Sequence, residues 1–312
     1  MKIRAVIVNW NGHDQIVRAI EALRASDLPV GGEMEIVVVD NGSTDGSLLW
    51  LRQEHTSHAL HLVELGLNHG FARACNAGAH DYKGDLLLFL NPDTRIEPDA
   101  MRRAMAVFED DDSGMIGSVG IQSVGDGDQV QRTCTRFPEA LNFINDALGL
   151  SVIFPKVFPG LLRDDIDHSK SKIVDHVIGA FYMTRNQLFR QLGGFDERFF
   201  VYLEDLDFSR RANQLGHVCF FLADATMYHK GGGISEKMKD RRQFYALRSR
   251  ILYAFKHFTS CSAWCVALAT LMVEPVPRLL RALLHRSAAE ARDTMRAFGM
   301  LYRDLPGIFS SR

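Results

Sequence analysis

Glu204-Asp205-Leu206-Asp207 places three carboxylates in four positions, directly after the aromatic run Phe199-Phe200-Val201-Tyr202. Carboxylates are suited to taking a proton from a hydroxyl and to holding a divalent cation. On a helix beginning near Glu204, Glu204 and Asp207 share one face, while Asp205 stands about 200° round from Asp207. One acid can then react while the others hold structure. The same residues also read as a helix start, with acids at its positive end and Asp207 paired to Arg211 at i,i+4. Taken alone, the cluster leaves both readings open.

Elements that would carry such a site are legible in the first 120 residues. Ile3–Val8, Ile36–Val39, Leu60–Leu65 and Leu86–Leu90 are short, nearly uninterrupted apolar runs separated by amphipathic stretches. This is βαβ rhythm, and strands apolar on both faces predict a mainly parallel sheet covered by helices on each side. Ligands of such sheets bind beyond the strands' carboxyl ends. Polar clusters stand at three of those ends: Asn9-Trp10-Asn11-Gly12, Asp40-Asn41-Gly42-Ser43-Thr44-Asp45, and Asn91-Pro92-Asp93.

Asn-Trp-Asn-Gly is not the Gly-x-Gly-x-x-Gly turn that admits a dinucleotide, so nicotinamide chemistry is disfavoured. Asp40 ends a Val-Val-Val strand, from which its carboxylate would face the crevice and accept a uracil or thymine N–H; Asn41, Ser43 and Asp45 read equally as turn formers. Gly70 opens a helix, carrying Asn76, whose start is a candidate for phosphate oxygens or a plain turn. Asp93 is a candidate ligand for Mg²⁺ or Mn²⁺, cations that take few protein oxygens and share the rest of their shell with substrate phosphates.

Further on, Pro98 starts a helix to about Phe108 and Glu109–Asp112 reads as a solvated loop. Residues 120–172 read as irregular, with a strand at Thr133–Pro138 and an apolar, mobile flap around Leu148–Phe158 on the acceptor side. A strand over Ile173–Met183 carries His176 and Gly179-Ala180-Phe181, and the Gly193-Gly194-Phe195-Asp196 turn, small enough for a sugar to approach, precedes the acidic helix. Val218–Leu222 is another strand. His229, ahead of Gly231-Gly232-Gly233, reads either as a core histidine or as a ligand beside a loop closing on phosphate.

Gln243–His257 is helical in pattern, and Phe258–Val273 runs sixteen residues without a charge, short of the roughly twenty a membrane span needs. Val276–Arg286 then sets leucines against arginines, as interfacial helices do. Residues 274–312 hold seven arginines and four acids, a bias that suits an anionic leaflet. The expectation is peripheral contact with the inner face of the cytoplasmic membrane; a core-packed helical subdomain is the alternative. A formal charge of −2 over 312 residues speaks against nucleic acid as partner. Five cysteines without a Cys-x-x-Cys pair fit reduced, buried thiols in the cytosol, and Met1–Val8 enters a strand without a signal-peptide pattern.

In order along the chain, Ala5–Asn11, Val39–Asp45, Asn91-Pro92-Asp93, Gly194–Glu197 and Glu204-Asp205-x-Asp207 resemble the motifs of family-2 inverting glycosyltransferases over roughly residues 1–260. Ile178–Phe181 and Phe199–Asp207 are most similar to bacterial rhamnosyltransferases of O-antigen and cell-wall polysaccharide assembly. The resemblance implies an α/β GT-A fold with a mixed, mainly parallel sheet flanked by helices, over residues 1–257. Within it, 1–120 would bind the nucleotide sugar, 121–257 would carry the acceptor and catalytic half, and 258–312 would form a helical extension. It implies transfer of a sugar, L-rhamnose from a dTDP- or UDP-linked donor, to a glycan or lipid-linked glycan. Asp205 would be general base, with Glu204 and Asp207 orienting it or touching acceptor. Asn9, Asn11, Asp40, Asn41, Ser43, Gly70, Asn76 and Asn91 would serve the donor, and Gly179, Ala180 and Phe181 the sugar or acceptor. Asp93 and His229 would hold Mg²⁺ or Mn²⁺. Asn91 departs from the family's Asp-x-Asp by replacing its first acid with a neutral ligand. Other readings are a polyprenyl-phosphate sugar transferase, a nucleotidyltransferase lacking its glycine-rich loop, and a catalytically silent nucleotide-sugar scaffold.

Overall fold

Runs of Val, Ile and Leu that carry no charge suit strands buried on both faces, and they form the middle of the sheet. In this computed structural model, which describes residues 1–57, 60–161, 166–229 and 238–310, the chain opens with β1 (Lys2–Asn9), α1 (His13–Arg24), β2 (Glu33–Asp40), α2 (Ser47–Ser57), β3 (Leu60–Glu64) and α3 (Phe71–Ala79). β4 (Leu86–Leu90), β5 (Thr94–Ile96), α4 (Ala100–Glu109), β6 (Ile116–Val124) and β7 (Cys134–Thr135) follow, then the short helices α5 (Ala140–Ala147) and α6 (Leu150–Ile153). β8 (Lys172–Val174), β9 (His176–Val177), β10 (Phe181–Arg185), α7 (Asn186–Gln191), α8 (Glu204–Gln214) and β11 (Val218–His229) complete the α/β part. Four helices end the chain: α9 (Lys239–His257), α10 (Ser260–Leu268), α11 (Pro275–Leu284) and α12 (Ala288–Ser310).

Contacts divide the chain into two compact units: Met1–Arg136, Arg163–Glu197 and Glu204–Gly233 in one, Phe137–Leu162, Arg198–Leu203 and Ile234–Arg312 in the other. Among the described residues the first unit holds a nine-stranded sheet in the order β3-β2-β1-β4-β10-β6-β11-β5, with β8 also on β11. β10 lies antiparallel between β4 and β6, and β5 and β8 are antiparallel to β11. The remaining strands of the main sheet run one way. The carboxyl ends of β1, β2, β4 and β11 therefore share one rim, which brings Asn9, Asp40, Asn91 and His229 to the same side of the sheet.

Two cores hold that sheet. On one face α1 buries Ile16, Ala19, Ile20 and Leu23, a helical i, i+3, i+4, i+7 stripe, beside Met101, Ala104, Met105 and Phe108 of α4. On the other, Phe89, Tyr182, Phe189, Phe195 and Phe208 pack as an aromatic cluster, with Phe89 and Phe195 centroids 4.7 Å apart. Gly78 lets α3 lie close on the sheet: a Cβ there would stand 2.4 Å from Val6 Cγ1.

The expected strand over residues 173–183 is three pieces. β8 pairs with β11, β9 with β7, and β10 enters the main sheet, because Asp175 and the Gly179-Ala180 turn redirect the chain. Thr133–Pro138 keeps only a two-residue strand. β11 runs on past Leu222 to His229 through a register shift between Leu222 and Thr226, which absorbs the polar Asp224. The segment expected to be an irregular flap instead forms α5 and α6, with Glu139 and Asn142 making a reciprocal cap at the start of α5.

In the second unit Phe143 of α5 meets Tyr253 of α9 edge-on at 5.9 Å. Arg248 of α9 donates to Asp304 of α12 at 2.7 Å. α10, a π-helical turn at Ala269–Val273 and α11 run on as one helix, Ser260–Leu284, of 25 residues, whose most apolar 18-residue window has a mean hydropathy of 1.4. By length and composition it is long enough to cross a membrane. The uncharged run ends at Glu274-Pro275, but the helix continues past it, since proline is tolerated in a first helical turn. Cys75, Cys134 and Cys219 are buried, whereas Cys261 and Cys265 on α10 are exposed, contrary to the expectation of buried thiols throughout.

Candidate active site

At the ends of β1 and β2 the side chains bond to one another rather than pointing out. Asn9 is 0% exposed; its Nδ2 donates to Asp40 Oδ1 (3.0 Å), Ser43 Oγ (3.0 Å) and Ser47 Oγ (2.8 Å). Asp40, 1% exposed, accepts the Gly42 and Ser43 N–H groups on Oδ2 at 3.2 and 3.0 Å. Asn11, in the left-handed region at φ 56°, accepts the Thr44 N–H at 2.6 Å. The sequence placed the Asp40 carboxylate facing the crevice; here it and Asn9 are turned into their own loop. Adjacent β-strand residues face opposite ways, but at a strand's end the following turn can fold back over a carboxylate that offers free acceptors. Asn41 is likewise inward, donating to Asn68 Oδ1 (3.1 Å) and Gly70 O (3.2 Å) and accepting the His69 N–H (2.9 Å). Gly70, at φ 91°, takes the conformation that glycine favours, and its N–H is used by Asn68 Oδ1.

Asn76 anchors a different segment. Its Nδ2 donates to Phe195 O (2.8 Å), its Oδ1 accepts the Phe195 N–H (2.9 Å), and Arg211 donates to the carbonyls of Leu192 and Gly194 (2.8 and 2.9 Å). The turn through Gly193 and Gly194 is thereby clamped from both sides. Asp207, 0% exposed, accepts from Arg211 Nε at 2.8 Å. That burial removes Asp207 from contact with an acceptor and makes it the brace of this turn.

Beyond β4, the Asn91 N–H donates to Ala180 O at 3.0 Å, fixing the Asn-Pro-Asp loop against the Gly179-Ala180 turn. Asp93 Oδ1 then lies 3.4 Å from His229 Nε2, with side chains 12% and 17% exposed. β5 pairing with the end of β11 brings them together, Thr94 standing opposite His229. Gln131 donates to His229 O at 3.0 Å and so fixes that strand end. Among the described residues no group of three His, Cys, Asp or Glu side chains converges on a metal position. One carboxylate and one imidazole side by side fit an octahedral cation that takes its other ligands from phosphate and water. Gly231, Gly232 and Gly233 lie outside the described residues.

Asp205 is the most open acid of α8, its side chain 16% exposed. Oδ2 accepts the Gly179 N–H at 2.8 Å and lies 3.5 Å from His176 Nε2, and Oδ1 accepts the Leu206 N–H at 2.8 Å. Behind it, His176 Nδ1 is 3.0 Å from Ser209 Oγ, which is 2.7 Å from the Tyr182 hydroxyl. Burial alone would raise the Asp205 pKa; His176 and the two N–H groups outweigh it and hold it below the usual carboxylate range. Glu204 moves the opposite way. Burial, then the neighbouring Asp205 charge, drives its pKa well above the ordinary value, and its Oε2 has no hydrogen-bond partner. Two adjacent carboxyls thus differ in protonation, Asp205 charged and Glu204 drawn toward neutrality. Just before them, Tyr202 and Leu203 both take left-handed backbone, φ 70° and 66°, a costly pair for residues with a Cβ.

Of the Gly179-Ala180-Phe181 segment only Gly179 reaches this acid: Ala180 is buried and Phe181 is fully buried in the sheet core, because β10 begins there. His176 had no site role in the sequence reading. Its one signal was a histidine between strand residues, three positions before a glycine.

A mainly parallel sheet with helices on both faces and a polar rim at its carboxyl ends is the GT-A fold. The chain belongs to glycosyl transferase family 2, whose profile matches residues 5–193. It is 27% identical over 213 residues to the low-salt glycan biosynthesis hexosyltransferase Agl10 of Haloferax volcanii, covering 67% of this chain and 61% of that protein's length. It is 25% identical over 241 residues to the N-acetylglucosaminyl-diphospho-decaprenol L-rhamnosyltransferase of Mycobacterium tuberculosis, covering 72% of this chain and 74% of the relative. Among solved structures, the mannosyltransferase PcManGT of Pyrobaculum calidifontis, in complex with GDP-Man and Mn²⁺, superposes with a TM-score of 0.58 at 16% identity, over 97% of this chain and 87% of that one. S. aureus TarS 1–349 gives 0.53 at 18% identity, over 97% and 92%. At these identities the structural likeness speaks to fold.

Proposed function

We propose that the protein transfers a sugar, with inversion, from a nucleoside-diphosphate donor to a hydroxyl of a glycan or lipid-linked glycan, Asp205 being the general base. The observation that carries this is the Asp205 carboxylate, kept ionised and aimed by the Gly179 N–H and His176 while part of it stays open. A base must be unprotonated and fixed within reach of the attacking hydroxyl. Glu204 and Asp207 act through position, the first beside Asp205 and the second by bracing the turn before α8. Asp93 and His229 would hold Mg²⁺ or Mn²⁺, which supplies positive charge against the departing diphosphate. The Asn9–Asp40–Ser43 network shapes the donor loop from within, leaving Asn11, Thr44 and backbone groups to touch nucleotide. Residues 1–120 serve the donor and 121–257 the acceptor and catalysis.

A dTDP-rhamnose donor rests on the motif resemblance; its rhamnosyl part is also supported by the name of the mycobacterial relative, an L-rhamnosyltransferase whose printed acceptor is a lipid-linked diphosphate. Peripheral residence on the cytosolic face of the membrane is supported by α11, which exposes Leu280, Leu283 and Leu284 with arginines alongside. A thermal-shift series with dTDP, UDP and GDP, with and without Mn²⁺, tests the donor: stabilisation by dTDP above the others, lost on chelation, is expected, and no response to any nucleotide would sink the reading.

A further inference from the structure

A cavity of about 790 Å³ in the second unit is lined by Lys239, Arg242, Gln243, Arg250 and Arg278 together with Ala246 and Leu247. Its size is that of a small-ligand site. Cations dominate its wall. Arg250 and Arg278 both bond to one buried carboxylate, Glu274, Arg250 at 2.5 Å and Arg278 at 2.6 Å, which fixes the two guanidinium groups in place. Asp146, on the packed α5 element, is the other carboxyl whose charge these arginines feel. Four cations against two carboxyls leave an excess of two positive charges. Gln243 adds a second, independent sign: its Nε2 is buried with no acceptor, a donor left open beside the cavity.

The helix that carries Arg278 also has an apolar face, on the side away from that arginine. Arg278 stands on α11, where Val276, Leu280, Leu283 and Leu284 are between 53% and 73% exposed. Arginine and lysine around a pocket choose anions, and oxygen-rich phosphates most of all because guanidinium groups meet them two bonds at a time. On a helix lying in a membrane interface, the arginine side opposite such leucines would stand at the depth of lipid headgroups.

We propose that this cavity binds the phosphate or diphosphate group of a membrane lipid, held by Lys239, Arg242, Gln243 and the free edges of Arg250 and Arg278. A diphosphate diester carries two negative charges, matching the excess on the wall. The inference deepens the reading of a lipid-linked acceptor and rests on it for the identity of that lipid, not for the anion site itself.

The test uses the full chain and phosphatidylcholine vesicles with or without a polyprenyl diphosphate, read by sedimentation. Doped vesicles are expected to bind more tightly. Lys239→Gln with Arg242→Gln, two solvent-facing changes, is expected to weaken that binding about thirtyfold, from roughly fivefold for each cation near an anionic surface. Equal binding to doped and plain vesicles, or an unchanged double variant, would overturn the proposal. Inorganic pyrophosphate binding as tightly as the doped vesicles would overturn the lipid as its source. Nucleotide thermal shift on the same double variant keeps the two readings apart: a preserved shift with lost vesicle binding supports the cavity. A chain with no nucleotide response that still prefers doped vesicles also supports the cavity, while removing the transferase reading.

Discussion

Gly179→Ala separates the role of Asp205 from its mere presence. The glycine N–H donates to Asp205 Oδ2 at 2.8 Å, and a Cβ at this position would stand 2.6 Å from that oxygen and 3.3 Å from Cγ. Gly179 is not among the glycines with left-handed backbone, so alanine fits the chain and the clash falls on the carboxylate. Relief needs a displacement of roughly half an ångström, and the carboxylate cannot swing freely, since Oδ1 is tied to the Leu206 N–H. A charge-assisted hydrogen bond is worth about 1.5–3 kcal/mol, and misplacement of about 1 Å costs about a hundredfold in rate. Together these put the expected loss at about ten- to a hundredfold in kcat, with donor KM and nucleotide thermal shift unchanged. Sugar transfer at saturating donor measures it, beside a thermal melt. A folded Gly179→Ala protein turning over at the wild-type rate would refute the claim that this hydrogen bond positions a catalytic carboxylate.

His176→Gln removes the imidazole that helps hold the Asp205 pKa down; the acid limb of the kcat–pH profile is expected to move to higher pH, and an unmoved limb counts against His176 as a positioning residue. Arg211→Met leaves the buried Asp207 without its ion pair and frees two carbonyls of the glycine turn, at an expected cost of about 3 kcal/mol in urea unfolding; a loss below 1 kcal/mol would show the brace to be dispensable. Asp111 is held at a pKa of about 2, burial opposing and the Ser113 hydroxyl, the Ile116 N–H and Arg185 prevailing. Because that value lies below the ordinary one, the stabilisation is full above about pH 4 and disappears as pH falls through 2. Asp111→Asn is expected to flatten this acid limb of stability, followed by thermal melts from pH 2 to 7.

Strands were the legible part of the fold, because Val-, Ile- and Leu-rich runs bury both faces and leave no competing pattern. The rim residues were legible as a set, since polar clusters after such strands have few other reasons to exist. Their orientation was not. Whether Asp40 meets a ligand or its own loop depends on how Gly42 and Ser43 turn back, a tertiary detail that local propensity leaves open. The same holds for 173–183, where β-forming residues continue through two changes of partner. His176 carries no local signal because its partners, Asp205 and Ser209, are far along the chain. The helices α5 and α6 were hidden by short length, their cap at Glu139 and Asn142 being the one local sign.

The line from Asp205 through His176 and Ser209 reaches Tyr182 and the buried Ser118 beyond it, and burial raises the phenol pKa far beyond the physiological range. Such a chain can stiffen and polarise the carboxylate, yet it offers no exit, since the buried phenol in it neither gives up nor accepts a proton at neutral pH. Under the proposed mechanism, the proton taken from each acceptor hydroxyl must leave by the open side of Asp205, into bulk water. Turnover would then acidify a weakly buffered solution by one equivalent per sugar moved, a stoichiometry that a pH-indicator dye can count.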